Sequence, residues 1–399
     1  MSAPKLRFKE FGGDWELDLL GNLVQIKSGY SPSKYELDKS GEMPFLKVEE
    51  LNNCDKYQEY SRFYTERNSD AVPSKSVVFP KRGAAILNNK VRILRVDALL
   101  DSNLMALIPQ HSLDAEYLYY LINKIELYKI ADTSTIPQIN NKHIEPYSIY
   151  LPSKEEQTKI ASFLSAVDEK ISQLTQKHQL LSQYKQGMMQ KLFSQQIRFK
   201  ADDGSEFGEW ESKKISDLFD EVRNKVADRD IETYSITAGK GFVSQANKFG
   251  RDISGKQNSN YIVLKPNDFS YNKGNSKTYK YGCVYLNELN YDIAVPNVFI
   301  SFRSKKLNLV HEKFYSKLFE FHYLDKYLRL LISSSARMDG LLNVSKDGFF
   351  EIKLPYPCLE EQTKIANFLS AIDQNIEVTA QQIEQAKQWK KGLLQQMFV

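Results

Sequence analysis

The sequence predicts an α+β protein in which two globular mixed α/β domains are joined by two long antiparallel coiled-coil helices with pseudo-twofold symmetry. Three observations predict this fold. A stretch of about 40 residues occurs twice, both copies carry an apolar heptad pattern, and the two globular stretches begin with the same short phrase.

The duplicated stretch keeps a constant offset of 205 positions, as from Gln157 to Gln362. Both copies begin with proline, at Pro152 and Pro357, and soon continue Glu-Glu-Gln-Thr-Lys-Ile-Ala. About half of the aligned positions are identical. Proline before the first turn and acidic residues within it are typical of a helix start.

Apolar residues in both copies recur in alternating steps of four and three, which is a coiled-coil seam. Each helix is about 40 residues and therefore about 60 Å long. The two copies are natural partners, and a pseudo-twofold relation makes the pair antiparallel. An ordinary pair of core helices in a bundle is the alternative. The predicted seam and partner-interface residues are Ile160, Leu164, Val167, Ile171, Leu174, Leu181, Met188, Ile365, Leu369, Ile372, Ile376, Ile383 and Leu393.

Four segments follow from this pattern: a first globular domain at 1–150, a helix at 151–196, a second globular domain at 197–355 and a second helix at 356–399. The shared opening phrase is Leu-Arg-Phe with Trp-Glu in the first domain and Ile-Arg-Phe with Trp-Glu in the second. Each domain reads as short strands and turns, then one amphipathic helix (113–130 and 314–333), then a closing strand (144–150 and 350–354).

Composition bounds the class of protein. The net charge of +4 permits nucleic-acid binding without proving it. The three cysteines are far apart and form no CxxC pair, which indicates neither a disulfide framework nor a zinc site. No apolar run approaches the ~20 residues that span a bilayer, and the N-terminus lacks a signal core. We therefore expect a cytoplasmic protein without a membrane partner.

The sequence offers no catalytic constellation, so we expect no catalytic residues and no metal site. The segment 250–256 resembles a phosphate-binding P-loop, but Gln257 stands where a Ser or Thr would bind Mg²⁺. The five histidines show no metal-ligand spacing. No Gly-rich turn suits a methyl-donor or dinucleotide cofactor. This favours a binding or scaffold role.

Basic and amide-rich loops are the candidates for DNA contact, because Lys and Arg match phosphates and guanine, and Asn and Gln match adenine. Taken singly, each of these residues is better explained as part of an ordinary solvated loop. As a set of paired loops in two domains joined by the helices, they favour DNA contact. The candidates are Lys27, Tyr30, Ser31, Lys81, Arg82, Asn89, Lys90, Thr135, Gln138, Asn140, Lys142, Arg251, Tyr271, Asn272, Lys273, Asn275, Ser276, Lys277, Ser335 and Arg337.

The opening phrases, the two proline-to-Glu-Gln helix starts and the order globule, helix, globule, helix resemble the specificity subunit of a Type I restriction-modification system. The resemblance covers essentially the whole chain. It implies two target-recognition domains, each reading one half of a bipartite double-stranded DNA site. It implies helices that set the gap and dock two methyltransferase subunits, with two translocase-endonuclease subunits joining for restriction.

The same resemblance implies a non-catalytic chain that carries no cofactor. S-adenosylmethionine, ATP and Mg²⁺ belong to the partner subunits, whose assembled complex methylates adenine N6 and cleaves DNA. Two other readings remain open. A single-chain methyltransferase would need its own methyl-donor loop, and a protein scaffold built on the two helices would not touch DNA.

Overall fold

Two compact units make up the chain in the computed structural model, which describes residues 3–110, 112–246, 259–306, 308–332 and 341–399. Unit 1 comprises Met1–Gln176 with Ala380–Val399, and unit 2 comprises Lys177–Thr379. Each unit thus contains one globular domain, part of the first long helix and part of the second.

The strands of unit 1 form three sheets. The largest has five strands in the order β2-β9-β6-β7-β4, of which only the β4–β7 pair is parallel. Smaller sheets have the orders β5-β3-β8 and β1-β10. The strands are β1 (Glu16–Leu19), β2 (Val24–Ser28), β3 (Met43–Leu46), β4 (Tyr57–Gln58), β5 (Tyr64–Thr65), β6 (Val77–Pro80), β7 (Arg92–Leu94), β8 (Leu99–Leu100), β9 (Leu104–Pro109) and β10 (Ser148–Leu151).

The helices of unit 1 are short except for the coiled-coil segments. They are α1 (Leu20–Leu23), α2 (Ala115–Ile125), α3 (Leu127–Ile130) and α4 (Asn141–Ile144), with 3₁₀ turns at Pro32–Lys34, Val48–Asn52 and Ala84–Ile86. The Asp114 side chain caps α2 by accepting from the amides of Glu116 and Tyr117. Most of the circumference of α2 is buried, since residues 117–122 and Ile125 all lie in the core.

Two long helices complete the cores. The first, α5, spans Lys154–Phe193, and the second, α10, spans Leu359–Met397. In unit 1, Leu164 near the start of α5 and Leu393 near the end of α10 lie in one apolar cluster with α2. The start of α5 packs beside the end of α10, so the two helices run antiparallel in this unit. Removing α10 would open the core of a domain that lies far away in sequence.

Unit 2 repeats this topology. Its main sheet has the order β12-β19-β16-β17, which matches β2-β9-β6-β7 of unit 1, and β11-β20 matches β1-β10. The additional pairs are β13-β14 and β15-β18. The strands are β11 (Glu211–Lys214), β12 (Phe219–Glu221), β13 (Tyr234–Thr237), β14 (Gly241–Ser244), β15 (Ile262–Leu264), β16 (Phe269–Asn272), β17 (Cys283–Leu286), β18 (Ile293–Val295), β19 (Ile300–Ser304) and β20 (Lys353–Tyr356).

The helices that the structure describes in unit 2, besides its parts of α5 and α10, are α6 (Ile215–Leu218), α7 (Glu312–Glu320), α8 (Asp325–Leu331) and α9 (Lys346–Phe350). Its core is aromatic, with Phe269 and Phe302 stacked at 5.2 Å between ring centroids. Leu192 near the end of α5 and Leu369 near the start of α10 join this core. The two helices therefore run antiparallel in unit 2 as well.

The fold confirms the predicted class, and local boundaries differ in two ways. The single helix predicted at 113–130 is broken at Glu126, whose φ of 64° lies in the left-handed region. The closing strand predicted from Ile144 begins only at Ser148, because 141–144 forms α4. The second domain shows the same two differences: the helix predicted at 314–333 is divided into α7 and α8, and the strand predicted at 350–354 begins at Lys353 because α9 extends to Phe350. All thirteen predicted seam residues are buried or half-buried. Among the described residues no helix combines the length and apolarity that a bilayer crossing needs.

Candidate nucleic-acid interface

One end of the main sheet in unit 1 gathers three of the candidate loops. Strands β2 and β6 end where β9 begins, because Ser28 pairs with Met105 and Pro80 pairs with Leu104. We call this end the loop edge of unit 1, formed by residues 29–31, 81–83 and 135–140. The register of these strands positions the loops side by side although they are far apart in sequence.

Backbone hydrogen bonds hold the loops of this edge together. Arg82 and Gln138 form a β-bridge, and the Ile139 amide donates to the Lys81 carbonyl at 2.9 Å. The Tyr30 amide donates to the Leu100 carbonyl at 2.9 Å. Gly29 permits this approach, because a Cβ there would lie 2.2 Å from carbonyl oxygens of 100 and 101. The predicted loops therefore form one continuous surface.

The loop edge of unit 1 presents positive charge and aromatic surface. The side chains of Tyr30 and Arg82 are exposed on it, and Lys142 is exposed on the adjacent α4. The Lys34 ammonium lies 3.8 Å from the centre of the Tyr30 ring. Burial lowers the pKa of Lys81, and the adjacent positive charge of Arg82 acts in the same direction. Two neighbouring cations repel each other, and a bound phosphate oxygen relieves that repulsion. The pair Lys81 and Arg82 therefore favours phosphate binding.

Other candidates in unit 1 are engaged within the protein. The Lys27 ammonium donates to the Ala71 carbonyl at 2.9 Å. The Asn89 side chain accepts from the Leu127 amide at 2.8 Å, which fixes the start of α3. The Lys90 ammonium contacts the Asn52 side chain. Asn89 is thus better described as a residue that supports the loop edge. Of the rest, Ser31, Thr135 and Asn140 are exposed, and Gln138 is half-buried.

Unit 2 has the corresponding loop edge, formed by residues 272–282 with 341–344. Strand β16 ends at Asn272, which pairs with Cys283 at the start of β17. Gly274 forms a bridge with Leu341, and the Leu342 amide donates to the Lys273 carbonyl at 2.9 Å. This arrangement parallels the Arg82–Gln138 bridge of unit 1. Asn275, Ser276 and Lys277 are exposed on it.

Three candidates of this edge are held by the fold. The Lys273 ammonium donates to the Val344 carbonyl at 3.1 Å, and the Asn272 side chain donates to the Ile236 carbonyl at 3.1 Å. Tyr271 is fully buried, its hydroxyl donates to the Tyr281 carbonyl, and its ring stacks on Phe349. We correct the prediction for Tyr271, because a side chain without exposed surface belongs to the core.

Arg251, Ser335 and Arg337 lie outside the described residues, as does the P-loop-like segment 250–256. Within the described part of the chain, no group of His, Cys, Asp and Glu side chains is arranged to hold a metal ion.

The start of each long helix carries anchors that sequence reasoning missed. Arg7 donates from Nε and Nη2 to the two carboxylate oxygens of Glu156, each at 2.8 Å. Arg198 binds the fully buried Glu361 in the same bidentate way at 3.0 and 2.7 Å. Hydrogen bonding to the carboxylate raises the pKa of each arginine. The repeated acids had been assigned only a helix-dipole role.

The repeated glutamine that follows these acids joins helix to domain. Gln157 accepts from the Asp114 amide at 2.8 Å and donates to the Ser112 carbonyl. Gln362 accepts from the His311 amide at 2.9 Å and donates to the Leu309 carbonyl. Each glutamine ties the first turn of a long helix to the start of a domain helix. This junction could have been predicted from the repetition of the same Glu-Gln pair at 156–157 and at 361–362.

Comparisons with known proteins agree with the repeated architecture. The family model described as the type I restriction modification DNA specificity domain matches residues 12–183 and 208–388. The MjaVIII specificity subunit of Methanocaldococcus jannaschii is 26% identical over 425 residues, covering 97% of this chain and 94% of that protein. The EcoR124I/EcoR124II specificity subunit of Escherichia coli is 22% identical over 183 residues, covering 43% of this chain and 45% of that protein.

Solved structures show the same fold at low sequence identity. The S subunit of a type I restriction-modification system from M. genitalium superposes with a TM-score of 0.59 at 16% identity, covering 100% of this chain and 99% of that one. A chain from a structural study of type I complex assembly and conformational transition gives a TM-score of 0.51 at 14% identity, covering 95% and 96%.

Proposed function

Because the chain belongs to the family of type I restriction-modification DNA specificity domains, we propose that it selects the DNA site of a type I complex. Each globular domain reads one half of a bipartite site in double-stranded DNA. The two long helices set the gap between the halves and dock two methyltransferase subunits. Two translocase-endonuclease subunits join the same assembly for restriction.

The observation that carries this proposal is the recurrence of the loop edge. Each unit presents polar and basic loops at the same end of the same sheet order, whereas the loop sequences differ. Because the two main sheets share a strand order, each loop edge lies at the same place in its own domain. The loop side chains differ between the domains, and we infer that they read different bases. Two linked domains that each bind the duplex weakly gain affinity through effective concentration when the distance between them matches the spacing of the half-sites.

Docking of two copies of one partner is supported by repeat-related exposed aromatics. Tyr184 on α5 and Trp389 on α10 occupy equivalent positions of the repeat and are 51% and 54% exposed. In unit 1, Trp389 packs edge-on against Phe163 and borders an apolar groove that also includes Val167 and Leu174. Large exposed aromatics on a helix surface are typical of protein interfaces.

The chemistry in this proposal belongs to the partners, and this chain is non-catalytic. The methyltransferase subunits hold S-adenosylmethionine and methylate adenine N6, and the translocase-endonuclease subunits use ATP and Mg²⁺. This chain's residues bind and orient the duplex. The complex works in the cytoplasm, where its DNA substrate lies.

The test is to co-express the full chain with its methyltransferase subunits in a host without adenine methylation and to sequence the methylome. We expect N6-methyladenine in one motif with two specified halves and a fixed unspecified gap. A methylated motif without a gap, or no methylation that depends on this chain, would contradict the proposal. If the chain binds the partners and none of the methylation depends on it, the scaffold reading is supported instead.

A further inference from the structure

Two lysine–aspartate pairs connect the long helices. In unit 1, the Lys390 ammonium of α10 lies 2.5 Å from a carboxylate oxygen of Asp168 on α5. In unit 2, Lys185 of α5 contacts Asp373 of α10. The offset of 205 positions relates Asp168 to Asp373 and Lys185 to Lys390. The repeat therefore supplies one lysine and one aspartate per helix, and each lysine binds the aspartate of the other helix.

The two lysines stand at seam positions, as polar interruptions among mostly apolar residues, and are largely buried. The exposed fractions of the Lys185 and Lys390 side chains are 12% and 22%. A buried ion pair is weak evidence for stability, because burying both charges offsets most of their attraction. Such pairs are best attested as devices that specify register and partner in coiled coils.

The charge pattern distinguishes the observed pairing from its alternatives. In a parallel in-register pairing, equivalent seam positions face each other, so Lys185 would meet Lys390 in a repulsive contact. Asp168 and Asp373 flank the seam and would lie on opposite sides of it, so neither lysine would reach an aspartate of the other helix. The antiparallel pairing instead places each lysine against the aspartate of the other helix. An antiparallel slip of one heptad would place Asp168 opposite Ile383 and leave its charge without a partner across the seam.

Each pair also binds the domain helix that packs on it. The Tyr120 hydroxyl of α2 donates to Asp168 at 2.7 Å, and the Lys317 ammonium of α7 lies 2.5 Å from Asp373. Lys56 contacts Tyr120 and Glu116 in unit 1, and Glu320 contacts both lysines in unit 2. Both clusters are neutral. The four charges of unit 1 are Lys56, Glu116, Asp168 and Lys390, and those of unit 2 are Lys185, Lys317, Glu320 and Asp373.

We propose that the Lys–Asp pairs select the antiparallel register of α5 and α10. Asp168 and Asp373 are positioning residues that fix how each recognition domain is held on the helices. The effect on the DNA gap rests on the proposed function, whereas the register of the helices does not. Within each unit, the pair binds both long helices and the domain helix, and so fixes where that domain lies along its own segments of α5 and α10.

The experiment exchanges charges in one helix or in both. The variant D168K/K185D reverses α5 alone and keeps the net charge of the chain. It places three positive charges and one negative charge in the unit 1 cluster, and the opposite in unit 2. The variant D168K/K185D/D373K/K390D reverses both helices and restores a neutral cluster in each unit. If the substitutions caused only local damage, four would do more harm than two.

Two readouts are taken on the full-length chain co-expressed with its methyltransferase subunits. Hydrogen exchange measures protection of the α5 and α10 amides, and methylome sequencing measures the motif and its gap. For the two-residue variant we expect loss of helix protection and a fall in methylation of about tenfold or more. For the four-residue variant we expect both to recover in part with the original gap, because the attraction between the helices is restored while Lys317 and Glu320 face like charges at positions 373 and 185.

A four-residue variant no better protected than the two-residue variant overturns the proposal, as does a two-residue variant that matches the unmodified chain. If the unmodified chain yields no bipartite motif, the proposed function fails, and the hydrogen-exchange comparison still decides whether the pairs set the register. Restored protection with an altered gap would overturn the positioning role of the aspartates alone.

Discussion

Arg198 holds the buried carboxylate of Glu361 through two hydrogen bonds, and the Trp210 indole donates a third at 2.8 Å. Glu361 lies in the first turn of α10, whereas Arg198 precedes the first strand of the second domain. The contact fastens the opening phrase of a domain to the helix that follows it. Arg7 and Glu156 repeat the same relationship in unit 1.

Removing the charge of Glu361 tests this anchor. We expect Glu361→Gln to destabilise unit 2 by about 2–3 kcal/mol, because Arg198 is left without its buried counter-charge. For a unit of this size that lowers the melting temperature by about 5–10 °C. The matched control is Glu360→Gln, since the neighbouring Glu360 side chain is 55% exposed. Equal melting temperatures for the two variants, measured by thermal unfolding of the full chain, would remove the anchor role.

The loop edge of unit 1 is tested by Arg82→Ala. We expect DNA affinity of the methyltransferase complex to fall about threefold to tenfold, with the slope of log affinity against log salt reduced by about one. The control is Arg95→Ala, because Arg95 follows β7 at the opposite end of the same sheet and pairs with Glu59. Fluorescence anisotropy over a salt series measures both. If the salt slope is unchanged for Arg82→Ala and reduced for Arg95→Ala, the DNA binds at the opposite end of the sheet, which contradicts the assignment of the loop edge.

The stability of unit 2 is expected to depend on pH through His322. A hydrogen bond to Asp325 raises the pKa of His322 above its ordinary 6.5. The stabilisation is therefore complete below about pH 6.5 and is lost as the pH rises through the folded-state value. We expect the stability difference between the unmodified chain and His322→Gln to be larger at pH 6 than at pH 8.

His311 has the opposite sign, because burial lowers its pKa and its contribution is lost as the pH falls. Both chains in the comparison contain His311, so its contribution cancels. Denaturant unfolding at the two pH values measures the difference. A difference that grows toward pH 8 would contradict the assignment.

Replacing residues 1–150 with the corresponding domain of another specificity subunit tests modular reading. We expect one half of the methylated motif to change while the other half and the gap stay the same, because each loop edge lies within one unit. Methylome sequencing reads both halves at once. A change in both halves would show that the domains do not read independently.

The class of fold could be predicted because repeats and heptads are properties of the sequence itself. The seam residues from Ile160 to Leu393 could be predicted because the heptad spacing of apolar residues can be seen in the sequence without knowledge of tertiary contacts. The strand order could not be predicted, since β2, β9 and β6 pair through contacts between distant segments. The break at Glu126 was missed because the amphipathic pattern continues through it and the left-handed φ leaves no sequence signal at a glutamate.

The candidate loops could be predicted by composition, and their roles could not. Arg82 and Asn89 look equally suited to DNA from sequence, yet one is exposed and the other fixes the start of α3. Tyr271 was chosen for its neighbours in a polar loop, although it is the last inward-facing residue of β16. Side-chain direction near a strand end depends on where pairing stops, which the sequence leaves open by one or two residues.

The account depends most on the helices as the element that sets the gap. Inserting four residues after Leu174 and four after Thr379 lengthens both copies equally and keeps both Lys–Asp pairs in register. At 1.5 Å per residue this adds about 6 Å, or about two base pairs. An insertion after Leu174 alone is the control, because it puts the two pairs out of register with each other.

Methylome sequencing of the double-insertion chain with its methyltransferase subunits is the most direct measurement. The account predicts the same two half-sites separated by a gap that is longer by about two base pairs. The same half-sites with the original gap would contradict it.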